Sequence, residues 1–218
     1  MAKPSAPPPP PFDGAFRASL DSLLVWRRDV RLFKPDPVDE ALLHDLINQS
    51  ALSPSVGNSQ PWRWVLVASA PARAAICASF DRCNREALAA YAGERASAYA
   101  RLKLAGLKDA PVHLAVFCDA GASAGHGLGR RTMPEMLDYS VVSAITLFWL
   151  SARAHGLGVG WVSILDPAEV AEALEVDPAW KLIGYLCVGH PVEEHDDPEL
   201  VRFGWQDRSN PAQHLLLR

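Results

Sequence analysis

The chain has 218 residues, 49% of them apolar, and 21 Lys and Arg stand against 25 Asp and Glu. That is enough apolar content for a full core, which excludes a disordered chain, a collagen-like fibre and a small disulfide-stapled module. A formal net charge of −4 excludes a general nucleic-acid binder, so any anion must be gripped by a local cluster of positive charge.

The start, with five consecutive prolines at Pro7–Pro11, has no apolar signal region and reads as a solvated, disordered tail over residues 1–13. Phe16, Leu20, Leu23 and Leu24 recur at helical spacing up to Trp26. A second helix is signalled by Asp36 as N-cap and Pro37 at the first position, with Val38, Leu42, Leu46 and Ile47 on one face. It stops before the turn formers Ser53 to Asn58. Trp62 to Val67 reads as a strand. A long Ala-rich helical stretch follows from Pro71 to Leu107, with breaks expected near Asp81 and Gly93. Val112 to Cys118 reads as a buried strand.

Asp119 to Arg131 holds four glycines and no periodicity, so it is a loop. Pro134 to His155 is the strongest helix, apolar nearly all round, which places it inside the molecule. Val159 to Ile164 is a strand, Asp166-Pro167 opens a further helix, and Leu182 to Val188 is a last strand. The acidic run Glu193 to Asp197 reads as solvated surface, followed by a strand or arm near Leu200 to Trp205. These elements predict an α+β fold in one domain over residues 14–218, with a C-terminal arm. The all-round apolar helix and the trailing arm point to a core completed by a second subunit.

The four cysteines (Cys77, Cys83, Cys118, Cys187) form no C-x-x-C pair, and no two histidines share a metal-ligand spacing. No metal site is therefore expected, and reduced thiols fit a cytoplasmic protein. No segment reaches the length of an apolar membrane span.

Three stretches carry chemistry. Arg27-Arg28-Asp29-Val30-Arg31 places three guanidiniums within five residues. They are either a bidentate grip on phosphate or a surface cluster with Asp29 as counter-ion. Ser53 to Trp62 concentrates hydroxyl, amide and backbone donors, which suits either a flat heteroaromatic with polar edges or an ordinary loop. Gly156-Leu157-Gly158-Val159-Gly160 lies between a helix and a strand, so it fails the dinucleotide fingerprint in both spacing and context. Gly158 and Gly160 are expected to let the backbone approach something flat. No G-x-S-x-G supports a serine hydrolase.

The motifs Arg-Arg-x-x-Arg (Arg27, Arg28, Arg31) and Pro-Ser-x-x-Asn-x-Gln-Pro-Trp (Pro54, Ser55, Asn58, Gln60, Pro61, Trp62) together resemble the nitroreductase-type flavoproteins. The resemblance runs from about Phe16 to Arg208. It implies a mixed, mainly antiparallel sheet surrounded by helices in a domain-swapped homodimer, with FMN at the interface. The implied FMN contacts are Arg27, Arg28, Val30, Arg31, Ser55, Asn58, Gln60, Leu104, Gly160, Trp161 and Arg208.

Asp29, the stretch Arg130 to Met136 and the stretch Gly160 to Pro167 are most similar to the family members that consume FMN itself. Those members use O2 to fragment reduced FMN into 5,6-dimethylbenzimidazole, the lower ligand of cobalamin, and erythrose 4-phosphate. A separate flavin reductase supplies the reduced flavin. This resemblance implies Asp29 as the base for ribityl cleavage and Ser163 as a hydroxyl on the isoalloxazine. Neighbouring guanidiniums favour a charged carboxylate, which suits a base. Structural roles stand beside these: Asp29 as counter-ion and Ser163 as a strand-end hydroxyl. The rival readings are an NAD(P)H-dependent nitro- or quinone reductase and a non-catalytic FMN store.

Overall fold

The computed structural model describes residues 10–102 and 106–218. The chain opens with α1 (Gly14–Trp26), capped by the Asp13 side chain, which accepts from the Phe16 N–H. Phe12, at the end of the expected tail, stacks on Phe16 with ring centroids 4.8 Å apart. Next comes α2 (Glu40–Ser50), which starts later than the sequence suggests. Its cap is Asp39, accepting from the Ala41 N–H, and not Asp36. Two aspartates compete for one start, and the one adjacent to the Leu43–Leu46 core contacts wins.

β1 (Trp62–Leu66) leads into α3 (Ala70–Ala89), which runs without a break through Asp81, contrary to expectation. Ile76 and Ser79 are buried on its inner face, and that anchoring overrides the weak helix preference of an aspartate. α4 (Gly93–Ala100) begins at the expected break. β2 (Val112–Asp119) is followed by the glycine-rich loop and then α5 (Met136–Ala154), closed by Gly156 at φ 76°. β3 (Gly158–Val162), α6 (Pro167–Ala173) and β4 (Trp180–Gly189) complete the core. The expected strand or arm at residues 200–205 begins instead as a single helical turn, α7 (Glu199–Arg202).

Among the described residues, the four strands form one antiparallel sheet in the order β1-β2-β4-β3. Side chains alternate across it. Leu114, Val116, Cys118, Leu186 and Val188 face α2 and α5, packing on Val141, Ile145 and Phe148. Ala115, Phe117, Tyr185 and Cys187 face α3 and α6, packing on Ile76 and Val170. α5 is therefore the central helix that its pattern predicts. α1 is different: none of its thirteen residues is buried, although Phe16, Leu20, Leu24 and Trp26 are apolar.

β3 is an edge strand, and the segment after α1 covers that edge. The Val30 N–H donates to the Val159 carbonyl at 3.0 Å, and Asp29 forms a parallel bridge with Val159. This bridge is the parallel element in an otherwise antiparallel arrangement. The approach is close because β3 carries glycines. A Cβ on Gly160 would lie 2.1 Å from the Val30 carbonyl oxygen, and one on Gly158 would lie 2.7 Å from Val30 Cγ2. The neighbour admitted by these glycines is therefore Val30 of the chain itself, its carbonyl at Gly160 and its side chain at Gly158. On its other side this segment pairs with residues 190–192, through Lys34 N–H to the His190 carbonyl and Val192 N–H to the Leu32 carbonyl.

Candidate active site

The edge-covering segment sets the geometry of the main cleft. Beyond the backbone bridge to Val159, the Asp29 side chain continues the contact with β3. Oδ1 accepts the Trp161 N–H at 2.9 Å, and Oδ2 accepts from Arg31 Nε at 2.8 Å. A carboxylate has about four lone-pair directions, so each oxygen retains acceptor capacity after these two bonds. Asp29 and Arg31 line the cleft together with Arg28, Trp149, Arg153 and Glu199.

Arg27 lies over the Trp149 ring, 4.8 Å from its centroid, and Trp149 in turn neighbours Trp161 at 6.3 Å. Arg28 donates to the carbonyl of Asp196 from Nε at 2.9 Å and to its own neighbour's carbonyl, Arg27 O, at 2.8 Å. Burial, then the charges of Arg208 and Arg27, push the Arg28 guanidinium below its usual value, while Asp196 and Asp197 oppose this. Arg27, Arg28 and Arg208 thus converge although Arg208 is nearly the whole chain away. Like charges held together at a partly buried place are relieved by a bound anion, so these residues fit a phosphorylated ligand.

The acidic run is exposed at Glu193, Glu194 and Asp196, as its composition suggests, and Glu193, Glu194 and Asp197 also border this cleft. Arg153 and Glu194 make a bidentate pair at 2.9 and 2.8 Å, which holds the Glu194 carboxyl below its usual value and raises Arg153. Arg202 pairs with Asp197 at 2.7 Å. Arg31 also reaches Glu199 at 3.6 Å. Sequence reading missed Arg101, Arg153, Glu199 and Arg202, all of which line the cleft. The available signal was a charge balance: an acidic run late in the chain matches an arginine cluster early in it.

The second motif sits elsewhere. Ser55, Asn58 and Gln60 do not line this cleft; Gln60 borders a separate depression with Arg63, Asp119 and the start of the glycine-rich loop. Gly57, Asn58 and Gln60 adopt positive φ values of 58°, 55° and 48°. Ser55 Oγ accepts the Gln60 N–H at 3.1 Å, and Ser140 of α5 accepts the Val56 N–H at 3.0 Å. Asn58 and Gln60 are exposed. Ser163, just past the end of β3, is exposed and outside the main cleft. Trp161 is half-buried beside Asp29, its indole resting on Gly184, where a Cβ would come within 2.8 Å of the ring. Leu104 lies outside the described residues.

Residues 24–190 match the family model described as the Nitroreductase family. The chain belongs to the nitroreductase family. Among nitroreductase-family relatives, it is 56% identical over 199 residues to a 5,6-dimethylbenzimidazole synthase of Rhodospirillum rubrum, covering 91% of this chain and 94% of the relative. It is 47% identical over 196 residues to a 5,6-dimethylbenzimidazole synthase of Rhodobacter capsulatus, covering 90% and 95%. The fold matches a crystal structure of oxidized iodotyrosine deiodinase bound to FMN and 3-iodo-L-tyrosine, with a TM-score of 0.70 and 22% identity. That match covers 91% of this chain and 97% of the other. No helix among the described residues is long and apolar enough to cross a membrane.

Proposed function

We propose that this chain is a 5,6-dimethylbenzimidazole synthase, which uses O2 to fragment reduced FMN into 5,6-dimethylbenzimidazole and erythrose 4-phosphate for the lower ligand of cobalamin. The observation that carries this reading is 56% identity across nearly the full length of a synthase bearing that name. The placement of Asp29 at the wall of an arginine-lined cleft agrees with it.

Reduced FMN supplies the electrons for O2 and, at its ribityl C1′, the carbon that becomes C2 of the benzimidazole. Everything else is asked of the protein. Arg27, Arg28 and Arg208 bind the phosphate, with Arg31 and the Val30 backbone beside the ribityl chain. Asp29 takes a proton on a free lone pair of its carboxylate. The Trp161 N–H and Arg31 keep both oxygens in place, so little reorganisation is needed at the moment of transfer. Gly160 keeps β3 close enough to Val30 for that geometry to exist. Ser163 donates its hydroxyl to the isoalloxazine.

In this reading Ser55, Asn58 and Gln60 reach the flavin from a second copy of the chain, in a domain-swapped homodimer. Its support is the bare apolar face of α1, the exposed Tyr139 and Val142 on α5, and the exposed Leu215, Leu216 and Leu217 at the C-terminus. Residues 14–218 serve as the FMN domain and the proline-rich start as a tail. A separate reductase delivers reduced FMN, and the four free cysteines suit the cytoplasm.

The test is an aerobic incubation with reduced FMN and chromatography of the products. Wild type forms dimethylbenzimidazole with irreversible loss of flavin absorbance; flavin returned intact would favour a reductase or a store. Asp29→Asn keeps FMN affinity but forms product at least about 100-fold more slowly, the scale of a lost general base. An unchanged yield from that variant removes Asp29 from the chemistry.

A further inference from the structure

The acidic C-terminal wall brings a second carboxylate to the proposed base. Glu199 opens α7, and the pairing of residues 190–192 with residues 32–34 carries that helix to the cleft. Arg31 stands between the two acids, its Nε 2.8 Å from Asp29 Oδ2 and 3.6 Å from Glu199 Oε2. The side chains are 13%, 30% and 16% exposed for Arg31, Asp29 and Glu199, so water screens this triad only partly. A glutamate in the first turn of a short helix is ordinarily solvated; this one is turned inward.

We propose that Glu199 is a positioning residue for Asp29: it competes for the Arg31 guanidinium and thereby sets how tightly that guanidinium holds the base. The proposal rests on the reading of Asp29 as the proton acceptor. With Glu199 charged, Arg31 is divided between two carboxylates and Asp29 is freer to accept a proton. With Glu199 protonated, more of the guanidinium's attraction falls on Asp29, which becomes a poorer acceptor. Four charged or titratable groups act on Glu199: Asp29 and Arg31 from the segment after α1, His195 from the preceding stretch, and Arg202 within α7. Arg101 and Arg153 line the same cleft. Burial pushes the Glu199 carboxyl above the usual carboxylate range; Arg31 opposes this and Asp29 adds to it. Glu199 is therefore protonated at milder acidity than an exposed glutamate, and turnover falls as pH drops through that titration.

The experiment is a single-turnover assay. Enzyme loaded anaerobically with reduced FMN is mixed with oxygenated buffer across mildly acidic to alkaline pH, and dimethylbenzimidazole is quantified. FMN affinity is measured in parallel by flavin fluorescence. Glu199→Gln, fixed in the neutral state, should run about tenfold slower than wild type at alkaline pH, within the range of couplings in one ion-pair network. It should also move the acid limb of the profile to lower pH, where only Asp29 titrates, while keeping wild-type FMN affinity, and Glu199→Asp should restore both rate and limb. An acid limb left at its wild-type position in Glu199→Gln overturns the proposal. So does a parallel loss of FMN affinity and rate in both variants, which marks a structural role. A wild type that makes no dimethylbenzimidazole fails the reading of Asp29 itself, and this inference falls with it.

Discussion

The two halves of the candidate flavin site are built by opposite means. The segment Arg27–Arg31 is held by partners far away in the chain: Val159 and Trp161 on β3, Asp196 and Glu199 near the C-terminus. The loop Ser55–Gln60 is held by left-handed residues, by the Ser55 to Gln60 hydrogen bond and by Ser140, and it packs backbone to backbone against the glycine-rich loop, where Gly57 and Gly125 approach closely. The first half is thus specified by tertiary packing, so it should be sensitive to changes well outside the motif. The second is specified by turn chemistry and by the glycines packed against it, so it should be sensitive within the motif and at Gly125 and Gly129.

The sharpest way to break this contrast is Gly160→Ala. The added methyl meets the Val30 carbonyl, a backbone atom with little room to move, and threatens both the Val30 to Val159 and the Trp161 to Asp29 hydrogen bonds. Urea unfolding should show a loss of about 3 kcal/mol, at the upper end for overpacking. A midpoint unchanged from wild type would mean that the segment floats free of β3. Next in size is Arg28→Ala, which should weaken FMN by about 2 kcal/mol, the worth of a charge-assisted hydrogen bond, and leave riboflavin affinity alone. Equal losses for both flavins, by fluorescence titration, would place Arg28 away from the phosphate. The smallest effect belongs to Ser55→Ala, about 1 kcal/mol of stability for one local hydrogen bond, seen as a shift in thermal midpoint.

Much of the fold was legible because the signals were local. The apolar residues of α5, the glycine stop at Gly156 and the Asp166-Pro167 start of α6 each declare themselves within one or two turns of helix. What was not legible required knowing a distant neighbour. Asp81 looked like a break until Ile76 and Ser79 were seen buried against the core. Glu193 to Asp197 is exposed as it looked, but its place at the cleft was hidden because its partners Arg28 and Arg153 lie far earlier in the chain. Gly160 announced a close approach, but its partner Val30 lies in a different part of the chain. The same holds for the site: the arginine motif and Asp29 were visible as residue types, whereas the role of Arg31 as a bridge to Glu199 was not.

Arg28 and Asp29 line one depression and Gln60 another, and in the proposed homodimer each copy would supply one of them to a shared site. If pairing completes the site, the working unit depends on protein concentration as much as on side-chain chemistry. Dilution alone would then silence turnover, with every functional group intact and correctly placed on its own chain.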